Sequence, residues 1–169
     1  MPKLPSESAD RFVLERIFHA PRDMVWRAWT DPKYVSLWWG PKGFTAPVCR
    51  IDFRVGGRFL LCMRSPSGLE YWNTGEYVEI REREKIILTM CFADANGNSV
   101  APSYYGFPES FPETMLDIVI FESVQAGKTK VTLRRDHAES LASQFGEIEG
   151  WNQSLDKFAS ALNVLLENV

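Results

Sequence analysis

IEGWNQSLDKFASALNVLLENV, residues 148–169, places Ile148, Trp151, Leu155, Phe158, Leu162, Leu165 and Val169 at alternating steps of three and four. That spacing predicts one broad apolar stripe on a helix of about 20 residues, roughly 30 Å long. Asn152, Gln153, Asp156 and Lys157 fall on its polar side. A helix with one such face is satisfied only by lying across a second layer.

That layer is written upstream, between Pro47 and His137, as strands with turn punctuation. The decisive hairpin surrounds Val55-Gly56-Gly57-Arg58. A two-residue turn mixes charged and apolar side chains on one face. A three-residue loop with Gly57 in a left-handed bulge pairs Arg54 with Arg58 instead. It gathers Cys49, Ile51, Phe53, Phe59, Leu61 and Met63 on one face and Arg50, Asp52, Arg54, Arg58 and Arg64 on the other. A one-residue slip would exchange whole faces, so the bulged register is expected. Further strands are predicted over 71–80, over 85–93 with Ile86, Leu88, Met90 and Phe92 on one face, and over 115–122 and 129–136. Residues 99–112 hold three prolines with Tyr104, Tyr105, Phe107 and Phe111, a loop long enough to have a purpose of its own.

Before the hairpin, Arg11 to Phe18 reads as a first strand. Pro21 is expected at the first position of one short helix, with Asp23 near its positive end. Asp31-Pro32 caps and starts a second, which Gly40-Pro41 stops. The predicted architecture is α+β: strand, two short helices, six further antiparallel strands, then a long C-terminal helix packed on the curved sheet. Residues 1–9 are expected to be a flexible arm and 10–169 a single domain.

Composition narrows the function. A net charge of −3 with interleaved signs, as in Arg81-Glu82-Arg83-Glu84-Lys85, offers no basic field for nucleic acid. No stretch approaches the ~20 apolar residues of a membrane span, and the opening residues have no apolar core of a secretory signal. Three cysteines, an odd number, argue against a disulfide framework and for a reducing cytoplasm with thiols as apolar fillers. Metal, triad and nucleotide signatures are lacking, so no cofactor, metal or catalytic residue is assigned. His19 and His137 are unpaired by spacing, and His19 reads as structural. Asp52 and Arg54 read as a surface ion pair rather than a ligand anchor.

Six Trp, eleven Phe and five Tyr are the unusual feature. Trp26 and Trp29, Trp38 and Trp39, Trp151 and Phe158 are placed to converge. A plain aromatic core and a core with a cavity fit the residues equally well.

Residues 16–32 (RIFHAPRDMVWRAWTDP), Leu37-Trp38-Trp39-Gly40, Asp52 to Phe59 (DFRVGGRF), Gly75 to Ile80 (GEYVEI) and Gly150-Trp151 through Leu155-Asp156 to Leu162 together resemble the START-like SRPBCC superfamily. More narrowly they are similar to proteins like the C-terminal domain of the activator of the ninety-kilodalton heat-shock chaperone's ATPase. The resemblance spans residues 10–167. It implies a helix-grip fold with an apolar cavity between sheet and long helix. The cavity set is then Trp26, Trp29, Trp38, Trp39, Phe53, Phe59, Leu61, Met63, Tyr105, Phe107, Trp151, Leu155 and Phe158, with the 99–112 loop over the mouth. The leading function is a binding or carrier domain for a small apolar ligand. The alternatives are a cyclase-like enzyme or a chaperone-accessory interaction domain, as a monomer or a homodimer. Thiol titration of the denatured protein should find all three cysteines free; a mass short by two hydrogens would contradict this.

Overall fold

The computed structural model describes residues 11–138, 142, 144 and 146–167; the predicted arm at 1–9 and Val169 lie outside them. The elements are β1 (Arg11–Phe18), α1 (Arg22–Thr30), α2 (Pro32–Trp38), β2 (Thr45–Ile51), β3 (Arg58–Arg64), β4 (Glu70–Arg81), β5 (Lys85–Ala93), a 3-10 turn (Pro102–Tyr105), β6 (Met115–Gln125), β7 (Lys128–Ala138) and the long helix, here α3 (Glu147–Glu167). All seven strands form one antiparallel sheet in the order β1-β7-β6-β5-β4-β3-β2. Only β1 leaves sequence order, and it does so because α1 and α2 carry the chain from one edge to the other. The predicted architecture is the one found.

Local signals behave largely as their chemistry dictates. Asp31 accepts from the Lys33 amide at 3.0 Å and Pro32 opens α2. Pro21 stands one position earlier than expected, as the extended cap residue of α1 rather than its first helical residue. The two helices are joined by the Trp38 indole, which donates to the Ala28 carbonyl at 2.9 Å inside the core.

The hairpin between β2 and β3 differs from the expected bulge. Ile51 opposes Phe59 and Cys49 opposes Leu61, so residues 52–57 all belong to the connection. Arg54 does not pair with Arg58; its amide and the Gly57 amide close tight turns onto Asp52 and Arg54 carbonyls. The left-handed residue is Gly56, at φ 81°, not Gly57. Gly57 is needed for a different reason: a Cβ there would sit 2.0 Å from the Asp52 carbonyl oxygen. The register moved by two residues, and a shift of two preserves faces. Cys49, Ile51, Phe59 and Leu61 therefore still share the inner face, with Phe53 packed beside them. Gly75 on β4 sits between Phe59 and Met90, where a Cβ would lie 1.8 Å from the Thr89 carbonyl.

α3 lies on the concave side. Leu155, Phe158, Leu162 and Leu165 are buried as the stripe predicts, while Ile148 and Trp151 are only half-buried. Replacing Leu155, 3% exposed, by Asp should cost at least ~4 kcal/mol, because it places an unpaired charge in the core. Denaturant melts of the two proteins check this, and an unchanged midpoint would mean that α3 docks by another face.

Candidate functional site

The inner face of the sheet is continuous and apolar along β5, where Ile86, Leu88, Met90 and Phe92 are all buried. α3 covers it unevenly. From Leu155 onward, large side chains fill the interface. Toward the start of the helix the facing residues are Gly150 and Ser154, with Gly146 just before it. Their spacing of four puts them on one side of the helix, and small side chains there leave space. The result is a partly open cavity of about 200 Å³.

Its walls come from the segment after α2, from five strands and from α3. Trp39, Gly40 and Pro41 follow α2; Met63 and Asn73 come from β3 and β4; Met90 and Phe92 from β5; Met115 and Arg135 from β6 and β7; Glu147, Trp151 and Ser154 from α3. Phe107 and Phe111 of the 99–112 loop close one side. Phe107 stacks on Phe92 with centroids 5.2 Å apart and lies tilted against Phe111 at 4.8 Å. Tyr105 does not line the cavity. Its hydroxyl pins the loop instead, donating to the Ala93 carbonyl and accepting from the Trp72 amide. Burial of that phenol raises its pKa, so it keeps its proton and its latch through the neutral range.

The predicted aromatic set is thus brought together, in three parts. Trp39, Met63, Phe107 and Trp151 line the cavity. Trp29, Trp38, Phe53, Phe59 and Leu61 surround a smaller void of about 40 Å³ next to it, which Trp39 also touches. Trp26, Leu155 and Phe158 line neither. Trp26 meets Phe121 and Phe53 edge-on at 5.0 and 5.7 Å, and Phe158 is fully enclosed by Phe18, Trp29 and Trp38. Trp151 lies parallel to Trp29 at 6.3 Å and meets Trp39 edge-on at 5.7 Å, so one tryptophan bridges core and cavity.

Other candidates resolve simply. Asp52 and Arg54 form a surface pair at 2.9 Å with both side chains more than half exposed. His19 is exposed after β1 rather than built into the core. The three cysteines are free. Burial pushes the Cys49 thiol up to about 12 and the Cys62 thiol up to about 11, so both are protonated fillers at neutral pH. Among the described residues no cluster of His, Cys, Asp and Glu is arranged to hold a metal, and no helix is long and apolar enough to cross a membrane.

The core also holds a buried charge cluster that no sequence motif marks. Arg135 and Asp117 are cross-strand partners, 5% and 2% exposed. Arg135 Nε lies 2.9 Å from Asp117 Oδ1, an ion pair bent away from a hydrogen bond, while Nη2 donates to Oδ2 at 3.1 Å. Nη1 donates to Glu147 Oε2 at 3.2 Å, which ties β7 to the start of α3. The guanidinium also meets the Met115 and Met90 sulfurs and lies 5.3 Å over the Trp151 ring. The signal was present in the two-residue period. Val131 and Leu133 point inward, so Arg135 does too; Val119 and Phe121 do the same for Asp117.

Curved sheet, gripping helix and internal cavity together define a helix-grip domain of the START-like kind. Residues 19–163 match the family model described as "Activator of Hsp90 ATPase homolog 1-like protein", and the chain belongs to that family. The fold is shared with solved structures at low identity. A protein of Nitrosomonas europaea is similar at TM-score 0.76 and 22% identity over 96% of this chain and 99% of that one. The protein of Silicibacter pomeroyi that bears the family's name is similar at TM-score 0.72 and 22% identity, over 91% and 98%. One from Arthrobacter aurescens gives 0.73 and 22%, over 92% and 87%. No curated protein matches the chain significantly.

Burial raises the Asp117 carboxyl against the pull of Arg135. Arg135→Met removes that pull and leaves the Asp117 carboxylate buried without its cation, which should cost about 3–5 kcal/mol at neutral pH. In that variant the folded-state pKa of Asp117 rises further above its unfolded value of ~4. Its stability should then be greatest in acid and fall as pH rises through the folded pKa. Urea melts at several pH values check both, and a pH-independent deficit would mean that packing, not charge, was lost.

Proposed function

We propose that the domain binds and carries a small apolar molecule in the cavity between α3 and the sheet. The observation that carries this is the cavity itself: about 200 Å³ left open beside a densely packed aromatic core. Interiors of this kind normally close to native density. The walls are chiefly aromatic rings and thioethers, surfaces that suit apolar and aromatic ligands.

Size narrows the class. An engineered apolar cavity of about 150 Å³ takes up benzene, so this one suits a single ring or a short chain. A sterol or a long acyl chain would need the wall to move. Covering about 250 Å² of ligand at ~25 cal/mol per Å² gives ~6 kcal/mol as an upper limit, a dissociation constant on the order of tens of micromolar.

A chaperone-accessory role, which the family's name suggests for this chain, would call for a filled core and a contiguous apolar patch. The large exposed apolar side chains of the described residues are divided among several elements, with Val13 and Ile17 on β1, Leu37 on α2 and Val55 in the hairpin. Exposure of this sort is ordinary.

The test is a thermal-shift and tryptophan-fluorescence screen of single-ring and short-chain apolar molecules, with sterols and fatty acids alongside. The small probes should raise the melting temperature in proportion to occupancy, and the large ones should not. Gly150→Leu should abolish binding without loss of stability. Gly150 lines the cavity, its added Cβ would meet only Pro41 at an ordinary 3.6 Å, and leucine is the better helix former. A screen in which no small probe shifts either signal would sink the carrier reading.

A further inference from the structure

The cavity wall includes polar groups, and they narrow the ligand further than its apolar walls do. Asn73 on β4 and Ser154 on α3 both line it, at 6% and 5% exposure. Among the described residues neither side chain has a hydrogen-bond partner. Trp39, a third lining residue, has a buried indole Nε1 that is likewise without one. Buried polar groups in native proteins are paired as a rule. The Trp39 nitrogen is sealed from the cavity, but the Asn73 amide and the Ser154 hydroxyl open onto it and take their partners from whatever occupies it. An amide and a hydroxyl can each donate and accept, so what they fit is a group that does both.

Arg135 suggests an anchor for an anion, but its surroundings oppose that. Nε faces Asp117 Oδ1 at 2.9 Å, and Nη2 is shared between Asp117 at 3.1 Å and the Met90 sulfur at 3.5 Å. Nη1 is shared between Glu147 and the Met115 sulfur, both at 3.2 Å. The π-face of the guanidinium is taken by Trp151. Both Nη groups are already directed at groups of the protein, and Nε, which makes no hydrogen bond, is enclosed against Asp117. A ligand carboxylate would enter a site of low dielectric beside the Glu147 carboxylate and, among the described lining residues, find no accessible cationic donor.

Resting on the carrier reading above, we propose that the cavity selects an uncharged molecule of single-ring size. Its one hydrogen-bonding group, an amide or a hydroxyl, would bond to Asn73 and Ser154, and the matching carboxylate would be rejected.

Four probes with a common ring decide it: toluene, benzyl alcohol, benzamide and benzoate. They are titrated into the full chain and followed by tryptophan fluorescence and ligand-observed NMR. Benzyl alcohol and benzamide should bind about tenfold more tightly than toluene, the gain of one or two well-made hydrogen bonds. Benzoate should show no binding at concentrations that saturate benzamide. Ser154→Ala and Asn73→Leu should each erase the advantage of the polar probes while toluene still binds. Should Asn73→Leu fail to fold, Ser154→Ala decides alone, since losing a hydroxyl from a helix leaves the fold intact. Benzoate binding as well as benzamide, or a polar advantage that survives Ser154→Ala, overturns this inference and leaves the carrier reading standing. Failure of all four probes, toluene included, removes the carrier reading and this inference with it.

Discussion

Phe158 is the point at which the two layers are locked together. Its ring is fully buried and meets Phe18 of β1, Trp29 of α1 and Trp38 of α2 at 4.8, 5.2 and 5.1 Å, so one side chain joins three elements to α3. The residue before it, Lys157, fixes the same turn of helix from the side. Its ammonium donates to the carbonyls of Gly40 and Phe44 at 3.0 and 3.1 Å, with those of Pro41 and Trp39 slightly farther off. Partial burial lowers the lysine's pKa, and the converging carbonyls offset that cost by solvating the charge. The connection after α2 is thereby held against the helix.

The cavity follows from where that lock sits. Beyond Phe158, Ala161, Leu162 and Leu165 continue the packed interface. Before it the helix presents Ser154 and Gly150, which cannot reach the sheet. Gly40 and Pro41, held by Lys157, form the opposite rim. A helix fixed to the sheet by its second half and small-sided in its first half leaves space at one end. The aromatic loop occupies only part of that space, because Tyr105 ties it down onto β4 and β5.

Much of this was legible in the sequence, and the reasons are specific. The stripe from Trp151 to Leu165 could be read because a period near 3.6 shows which side of a helix is buried. The two faces of the β2–β3 hairpin were right although its pairing was not, because the actual register differs by two residues and parity survives. Phe107 and Trp151 were placed at the cavity by the family resemblance, and both stand in its wall. Trp26, Leu155 and Phe158 were grouped with them on the same ground, yet line neither void; sequence spacing shows that a side chain points inward but not whether space remains in front of it. That depends on the smallest residues, and Gly146, Gly150 and Ser154 were passed over because attention went to the largest.

Arg135, Asp117 and Glu147 belong to no motif, and only the two-residue period of β6 and β7 marks Arg135 and Asp117 as facing inward. Their arrangement is hard to explain by stability alone. A buried ion pair replaced by apolar groups of like volume is often no less stable, since the desolvation cost of the charges vanishes with them. What the cluster provides is orientation. Glu147 stands at the start of α3, where a carboxylate is favoured by the helix dipole, and Arg135 ties it to Asp117 across two strands of the sheet. The first turn of α3, which has only small residues facing the sheet, is thus held by directional charge pairs instead of by packing. A contact made by packing would have filled the cavity; one made through a guanidinium fork at its edge fixes the helix and leaves the interior open.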